Sequence, residues 1–284
     1  MGTKRIELAQ GVELAPYTTI KIGGTAQYFF HAHSLDDVQA VLADTVGAYY
    51  CLGGGSNLLI RNGALRTSVV TLGQEFDYTR CAGDLLEAGA ATKLAAVLKY
   101  CVKHNLGGLH ELAGIPATIG GLVRMNASSF GREICSVLVA VEAVTRTGTC
   151  VRISRDEMVF GYRSSSFGNL IITRAWFRVT PHQALRAEIA NILSRRYQSQ
   201  DFTYPSCGSV FKNPTGYAAG FLIDSCGLKG LTVGDAQVSS KHANFIINTG
   251  RATYADVDCI IGRIKDTVHR KFGVILEEEI ERWM

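Results

Sequence analysis

The segment CLGGGSNLLI, residues 51–60, places three glycines, a serine and an asparagine between two apolar runs. Because glycine has no Cβ, successive backbone N–H groups can converge on an anion there, and the hydroxyl and amide add further donors. The pattern predicts a pyrophosphate-binding bend formed by Gly53, Gly54, Gly55, Ser56 and Asn57. A hairpin turn between two strands is the alternative interpretation of the same residues.

Two common phosphate-binding signatures are absent from the chain: no G-x-x-x-x-G-K-[ST] occurs, and no G-x-G-x-x-G opens a helix. A nucleotide held at the bend would therefore require another fold. A second glycine-rich segment, LAGIPATIGGLVRMNASSFGREI at 112–134, runs from a tight Ile-Pro turn through Gly120 and Gly121 to a polar stretch that begins at Asn126. We expect it to contact a second part of the same cofactor.

The composition of the 284 residues, 47% hydrophobic and 19% charged, is that of a folded protein. A net charge of +4 suits small anions and is too low for a nucleic-acid-binding surface. The eight cysteines contain no C-x-x-C pair, and His31 and His33 have no third ligand nearby, so no metal site is predicted. Because the sequence has neither a signal-peptide core nor a run of about 18 apolar residues, a soluble cytoplasmic protein is expected.

Residue periodicity predicts an α+β chain. Strand-like runs lie at 27–32, 48–53 and 68–73, and the interval 136–180 is rich in β-branched and aromatic residues. Apolar spacing predicts helices after Ser34, from Ala91 to His104, from Gln183 to Gln198, and through Val257 to the residue before Gly273. The change of pattern after Thr180 predicts a second domain at about 181–270, followed by a strand whose partner the pattern does not give.

Two short polar clusters follow the glycine-rich segments. In FGYRSSSF, residues 160–167, Arg163 beside Tyr162 can clamp a carboxylate, because the forked guanidinium donors match that group; a surface pair is the alternative. In PSCGSVFKNP, residues 205–214, a loop between prolines presents the hydroxyl, ammonium and amide groups of Ser209, Lys212 and Asn213 together.

Two later stretches carry further polar groups. Residues 219–248 include Gln237 among polar side chains that could bind a nucleotide-sugar phosphate, and LEEEIERW at 276–283 crowds four acids. A solvated surface is the alternative interpretation of both stretches. A carboxylate placed opposite an arginine and a serine would complete an acid and electrostatic pair.

Seven segments occur in an order that is typical of one family: TTIKIGG (18–24), LGGGSNLL (52–59), GIPATIGG followed by MNA (114–127), FGYRSS (160–165), GSVFKNP (208–214), GDAQVSSKHANFIIN (234–248) and LEEEI (276–280). Together they resemble the UDP-N-acetylenolpyruvoylglucosamine reductase, or MurB, family over essentially the whole chain. The short spacing after Tyr162, with no inserted tyrosine loop, resembles the shorter subclass of that family.

The resemblance implies an FAD-binding fold of the vanillyl-alcohol-oxidase type in two subdomains at 1–180, with a boundary near 62 and with 271–284 returning to it. A C-terminal α+β substrate-binding domain at 181–270 is implied as well. The implied chemistry is that NADPH reduces FAD, and that hydride then passes to the enolpyruvyl ether of a UDP-sugar. This reaction belongs to the cytoplasmic stage of peptidoglycan precursor synthesis.

By motif position, the resemblance implies that Arg163 is the catalytic arginine, Ser209 the proton donor and Glu279 the catalytic acid. Substrate contacts are expected at Tyr162, Lys212, Asn213 and Gln237. The second flavin-contacting segment comprises Gly114, Ile115, Pro116, Gly120, Gly121, Asn126 and Ala127.

The sequence departs from the family pattern in the second flavin segment, at Ala117, Leu122 and the pair Ser128–Ser129. Near the implied proton donor, Cys207 replaces an alanine.

The C-terminal acids also depart from the pattern, because Glu281 stands where the family has an arginine. Glu277 would share a strand face with Glu279, so Glu277 is an alternative acid. A flavin oxidase of the same fold and a non-catalytic nucleotide-binding module are the alternative functions. We expect a monomer without nucleic-acid or membrane partners.

Overall fold

The computed structural model describes residues 7–44 and 48–284. The α-helices in these residues are α1 Leu35–Asp44, α2 Leu94–His104, α3 Ile119–Arg124, α4 Leu185–Ser199, α5 Ala219–Ser225 and α6 Tyr254–Phe272. The strands are β1 Glu7–Glu13, β2 Thr25–Ala32, β3 Tyr49–Leu52, β4 Leu58–Ile60, β5 Ala64–Leu65, β6 Ser68–Leu72, β7 Thr79–Ala82, β8 Leu85–Gly89, β9 Leu106–Gly107, β10 Ser128–Ser129, β11 Arg132–Glu133, β12 Leu138–Val144, β13 Cys150–Ser154, β14 Phe160–Gly161, β15 Ser164–Ser165, β16 Ile171–Arg178, β17 Thr180–Pro181, β18 Ser206–Ser209, β19 Thr232–Val233, β20 Ala236–Val238, β21 Phe245–Asn248 and β22 Glu281–Trp283.

These elements form two compact units, each built from separate stretches of the chain. Unit 1 takes in the described residues of 1–10, 28–54 and 67–195, and unit 2 takes in 11–27, 55–66 and 196–284. The division crosses the first glycine-rich bend between Gly54 and Gly55. The division into functional domains near residues 62, 180 and 270 stays a prediction.

Unit 1 contains an antiparallel sheet with the strand order β13-β12-β16-β8-β7. Its central strands are apolar on the covered face, and Val141 pairs with Ala175 in register. This face is buried against α2 and α3 in one hydrophobic core, which includes Leu98, Val123 and Phe177. The sheet thereby fixes the strand that precedes α2 and the loop that leads into α3.

Unit 1 also contains a parallel sheet, in which β6 lies between β2 and β3. Helix α1 buries Val38, Val41 and Leu42 against Phe30 and Val70 of these strands. Because the strands are parallel, their carboxyl ends lie at the same edge of the sheet. The glycine-rich bend begins at this edge, directly after β3.

Unit 2 contains an antiparallel sheet with the order β18-β21-β20-β19, and α5 and α6 share its core. Thr253 caps the start of helix α6 with a hydroxyl that accepts from the Asp256 N–H in a capping box, and Gly273, with φ +69°, caps its end. The terminal strand β22 pairs in parallel with β4.

Most predicted elements are confirmed, including α1, the sheet at 136–180 and the C-terminal ends of α2 and α6. Helix α2 begins at Leu94 rather than at the predicted Ala91. The reason is that the Ala90 and Ala91 N–H groups donate to Thr173 O and Phe76 O, so these residues form a turn after β8 instead of the first turn of the helix.

The hairpin interpretation of the first bend is wrong. The strand before it, β3, pairs with β6, whereas the strand after it, β4, pairs with β22. The bend therefore connects two different sheets. Within the described part of the chain, no helix combines the length and apolar character needed to cross a bilayer.

Candidate functional site

In unit 1, the two glycine-rich segments lie against each other. A Cβ on Gly53 would lie 2.7 Å from Thr118 Oγ1, and a Cβ on Gly54 would lie 3.1 Å from Pro116 O. A Cβ at position 53 would force the Thr118 hydroxyl to move, because real Cβ atoms do not come within 3.0 Å of such a neighbour. Two segments more than 60 residues apart thus form one surface, on which Gly53 and Pro116 are exposed.

The second segment is anchored to the stretch before α2. The Ile119 and Gly120 N–H groups donate to Thr92 O and Ala90 O at 2.9 Å, and Ala117 O accepts from the Leu94 N–H at 3.0 Å. A Cβ on Gly120 would lie 3.1 Å from that of Ala90, so glycine allows this close packing. These bonds fix the main chain of the predicted cofactor segment.

Asn126 connects this segment to the hairpin that carries Arg163. Its side chain is 1% exposed and its φ is +42°; Nδ2 donates to Gly161 O at 3.0 Å, and Oδ1 accepts from the Cys135 N–H at 3.4 Å. Gly161 pairs with Ser164 and is followed by Tyr162. The asparagine thus holds the main chain directly before the turn.

Arg163 occupies that turn in a left-handed conformation, with φ +55°. This conformation is costly for a non-glycine residue and is typical of functional positions. Its guanidinium donates to Ser128 Oγ and lies 5.2 Å from the centre of the Tyr162 ring. Sequence reasoning missed the role of Ser128, although it marked this position as a departure from the family pattern.

In unit 2, the second half of the first bend is held by Thr19. A Cβ on Gly55, whose φ is +63°, would lie 2.0 Å from Tyr17 O, so only glycine fits there. The Thr19 N–H donates to Gly55 O at 3.1 Å, and its hydroxyl donates to Ser206 O at 2.7 Å. Thr19 therefore links the bend to β18. The TTIKIGG motif contains this threonine, but sequence reasoning gave it no role.

The proposed proton donor and the C-terminal acids lie on adjacent segments of unit 2. Ser209 ends β18, after Gly208 with φ +75°. The Glu279 N–H donates to Val210 O at 2.8 Å, and the Lys212 N–H donates to Glu277 O at 2.9 Å. The C-terminal segment therefore runs antiparallel to the segment that directly follows Ser209.

The neighbouring acids have different surroundings. Glu277 is 72% exposed, with its carboxylate 3.3 Å from Lys212 Nζ. Although burial opposes the shift, hydrogen bonds from Arg282 and Lys265 hold the pKa of Glu278 below its usual value. Glu279 is partly buried, and its carbonyl accepts from Asn57 Nδ2 at 3.0 Å.

The residues expected to contact substrate in unit 2 have partners within the protein. Asn213 Oδ1 accepts from the Ala219 N–H at 2.9 Å, at the start of α5. Gln237 Nε2 donates to Thr232 Oγ1 at 3.0 Å on the neighbouring strand.

The buried Asn244, which sequence analysis had placed in a stretch that could equally be solvated, clamps Phe211. It donates to Phe211 O at 2.8 Å and accepts from the Phe211 N–H at 3.0 Å. Its spacing from Phe211 along the chain gave no signal for this contact.

Comparisons with known proteins cover nearly the whole chain. Residues 26–154 match the model of an FAD binding domain, and residues 200–283 match the C-terminal domain of UDP-N-acetylenolpyruvoylglucosamine reductase. The chain is 37% identical over 274 residues to the UDP-N-acetylenolpyruvoylglucosamine reductase of Anaplasma marginale, which covers 95% of this chain and 92% of the relative. It is 40% identical over 281 residues to that of Alkalilimnicola ehrlichii, covering 96% and 94%.

The crystal structure of UDP-N-acetylenolpyruvylglucosamine reductase (MurB) from Thermus caldophilus matches with a TM-score of 0.86, at 34% identity and over 99% of each chain. The chain belongs to the UDP-N-acetylenolpyruvoylglucosamine reductase family. It is therefore an FAD-containing oxidoreductase, with an FAD-binding region and a C-terminal MurB domain, rather than a non-catalytic nucleotide-binding module.

The residues at the bend fit the FAD that this family uses. No acceptor in residues 7–44 or 48–284 takes a hydrogen bond from the backbone N–H groups of Gly54, Gly55 or Ser56. Backbone donors without internal partners, two of them on glycines that have no Cβ, suit the pyrophosphate of a dinucleotide. Gly114, with φ +85°, and Pro116 are exposed in the second segment and are available to the same cofactor.

Proposed function

We propose that this chain uses NADPH, through bound FAD, to reduce UDP-N-acetylglucosamine enolpyruvate to UDP-N-acetylmuramate for peptidoglycan synthesis. Family membership across nearly the whole chain supports the reaction. The structural observation that carries the residue assignment is the hydrogen bond from the Glu279 N–H to Val210 O. It keeps the Ser209 and Glu279 segments adjacent in unit 2.

The reaction adds a hydride to the terminal carbon of the substrate alkene and a proton to the adjacent carbon. Bound FAD would supply the hydride after NADPH has reduced it. Negative charge then develops on the substrate and spreads onto its carboxylate, so a fixed cation at that group stabilises the transition state. We assign this role to Arg163, whose left-handed turn is held by Asn126 and whose guanidinium is oriented by Ser128.

Ser209 is assigned as the proton donor to the adjacent carbon. A serine hydroxyl is a weak acid, but the carbon of an enolate is basic enough to accept its proton when the geometry is fixed. That geometry is set by Gly208 before it, and by Val210 and Phe211 after it, whose main-chain groups bond to Glu279 and Asn244. A positioned acid of this kind contributes about 10²- to 10⁴-fold in rate.

Glu279 is assigned as the catalytic acid, which is protonated or donates a hydrogen bond where negative charge develops on the substrate carboxylate. Glu277 is a weaker candidate, because its carboxylate is largely exposed and pairs with Lys212. The main chain of Glu279 is held on both sides, since its N–H donates to Val210 O and its carbonyl accepts from Asn57. Substrate contacts by Tyr162, Lys212, Asn213 and Gln237 are part of the same proposal.

The test is Ser209→Ala, measured in two half-reactions. Bleaching of the flavin by NADPH should proceed normally, whereas product formation should fall by about 10²-fold or more. Ser240→Ala is the matched control, because it removes an exposed hydroxyl of the same unit that is not the proposed donor. Equal loss in both half-reactions, or loss in neither, would exclude Ser209 as the donor.

We further propose that the protein acts in the cytoplasm as a monomer, without membrane or nucleic-acid partners. The net charge of +4 and the soluble nature of both reactants support this. Light scattering at micromolar concentration checks the monomer, and a dimeric mass would contradict it.

A further inference from the structure

Unit 1 contains a cluster of histidine and glutamate side chains at the start of α4 that the proposed reaction does not use. Nε2 of His110 and Nε2 of His182 lie 3.1 Å and 3.3 Å from the same atom, Oε2 of Glu188. The three atoms all lie within 4.8 Å of one another. Ligand atoms around a tetrahedral zinc ion, at bond lengths near 2.0–2.2 Å, are separated by about 3.3–3.6 Å. The distance of 3.3 Å from Glu188 to His182 matches an edge of that tetrahedron, and the distance of 3.1 Å to His110 is slightly shorter than one.

Three separate elements bring these side chains together. His110 opens the 3-10 turn that leads to Gly114, and Glu188 lies in the first turn of α4. His182 follows β17, and its N–H donates to Asn105 O at 2.8 Å. A Cβ on Gly107 would lie 2.8 Å from the ring of His182, so a glycine is needed for the imidazole to pack there. The cluster therefore has a defined geometry rather than being a set of mobile surface groups.

A second observation comes from Glu111, which lies behind His110. Its Oε1 accepts from Nε and Nη2 of Arg132 at 3.1 Å and 3.0 Å. Its other oxygen, Oε2, is buried, has no hydrogen-bond partner among the described residues and lies 3.5 Å from His110 Nδ1. Histidines that bind a metal through one ring nitrogen characteristically donate the other N–H to a carboxylate.

The tautomer of each ring follows from these contacts. In the metal-free cluster, His110 Nδ1 accepts from the Gly108 N–H at 3.3 Å, which places the ring proton on Nε2, facing Glu188. A metal on Nε2 would displace that proton to Nδ1, which would then donate to Glu111 Oε2 in place of accepting from the Gly108 N–H. For His182, Nδ1 is buried without a partner in the described chain, so no hydrogen bond there fixes its tautomer.

We propose that His110, His182 and Glu188 form a zinc site, with Glu111 as the carboxylate behind His110. Two imidazoles and one carboxylate favour Zn²⁺ over Mg²⁺ or Ca²⁺, which prefer oxygen ligands. The two carboxylates balance the charge of a divalent ion. The Glu188 side chain is 45% exposed and that of His182 26%, so the ion can enter from solvent and keep water in the fourth position.

The site would link the turn at His110 to helix α4, two parts of unit 1 that the pairing of β9 with β17 also brings together. His110 lies four residues before Gly114 in the predicted flavin segment, and Glu188 lies on α4. Zinc would therefore stabilise unit 1 by binding the folded chain and not the unfolded one. No chemical step in the proposed reaction needs the ion.

The test is a zinc titration of the full-length protein after chelator treatment and dialysis, followed calorimetrically. One equivalent of Zn²⁺ should bind to the wild type, and Co²⁺ should give the visible absorption of a tetrahedral site. Glu188→Gln and His182→Ala should abolish this binding, and Glu111→Gln should weaken it roughly 10- to 100-fold. Glu188 is partly exposed on a helix, so its variant keeps the test valid if His182→Ala fails to fold.

His104→Ala is the matched control, because His104 is an exposed histidine of the same unit. It should bind zinc as the wild type does. A thermal shift gives a second readout: zinc should raise the melting temperature of the wild type and of His104→Ala, but not that of Glu188→Gln. Absence of binding to the wild type, or equal binding by the wild type and Glu188→Gln, would overturn the proposal.

Discussion

Asn126 offers a graded test of how the catalytic arginine is held. Its amide makes two hydrogen bonds, to Gly161 O and from the Cys135 N–H, and its backbone is left-handed at φ +42°. Asn126→Gly removes both bonds and keeps the backbone conformation, so the free energy of unfolding should fall by about 1–3 kcal/mol. Asn126→Ala adds the cost of a left-handed alanine, roughly 1–2 kcal/mol more.

The catalytic effect of these variants should be confined to one half-reaction. If Asn126 acts by placing the Tyr162–Arg163 turn, a small displacement of the guanidinium should reduce product formation by up to about 10²-fold. Bleaching of the flavin by NADPH should stay unchanged, because Arg163 is assigned to the substrate. Urea denaturation measures the stability, and stopped-flow absorbance measures the two half-reactions.

Asn105→Ala is the matched control, since Asn105 is also left-handed, at φ +54°, and is exposed at the end of α2. Asn105→Ala should be destabilised only by the strain of a left-handed alanine, and it should keep full activity. If Asn126→Gly instead lowers FAD occupancy, the residue contacts the cofactor, as the family resemblance implies, and the positioning role is refuted. Equal stability of the Gly and Ala variants at 126 would refute the backbone argument.

Two further predictions concern the glycine approach and the C-terminal acids. Gly53→Ala should lower the free energy of unfolding by about 1–3 kcal/mol through overpacking against Thr118 Oγ1. In thermal unfolding, the double variant Gly53→Ala/Thr118→Ala should regain most of that loss. Additive losses from the two changes would contradict the overpacking. The pKa of Glu278 is held below its ordinary value of 4.5, so its ion pair with Arg282 stabilises the fold above about pH 4.5 and is lost as pH falls through the lowered pKa. Acid unfolding should therefore be shallower for Glu278→Gln, and an unchanged acid limb would argue against the pairing.

How far the sequence predicts the fold depends on the range of each interaction. The helices and the sheet at 136–180 follow from local periodicity, and the ends of α2 and α6 follow from left-handed residues at Asn105 and Gly273. The pairing of β22 with β4 does not follow, because it joins residues more than 200 positions apart through main-chain bonds that leave no side-chain pattern. For the same reason the sequence does not exclude a hairpin at the first bend, whereas the structure places the strands before and after the bend in different sheets.

The candidate site shows the same limit at the level of single residues. Sequence reasoning identifies the glycines as places of close approach to a ligand, which stays a prediction, and it does not show the close approach of Gly53 to Thr118 and of Gly55 to Tyr17. Sequence reasoning does not show which acceptor an asparagine side-chain amide donates to. Asn57 and Asn126 were both expected to contact the cofactor, and in the structure each donates to a main-chain carbonyl of the protein. The donor type was predictable, whereas the acceptor depends on the tertiary fold.

Asn57, Asn126 and Asn244 each bond to the main chain at or near a proposed catalytic residue. Asn57 donates to the carbonyl of Glu279 itself, Asn126 to that of Gly161, two residues before Arg163, and Asn244 to that of Phe211, two residues after Ser209. Each proposed catalytic side chain thus has its main chain held by an amide within its own unit. An ionised aspartate cannot donate a hydrogen bond, so an Asn→Asp change at these positions removes the bond to the main-chain carbonyl while nearly preserving side-chain size. The precision of the site should therefore depend on these amides even where they touch no ligand.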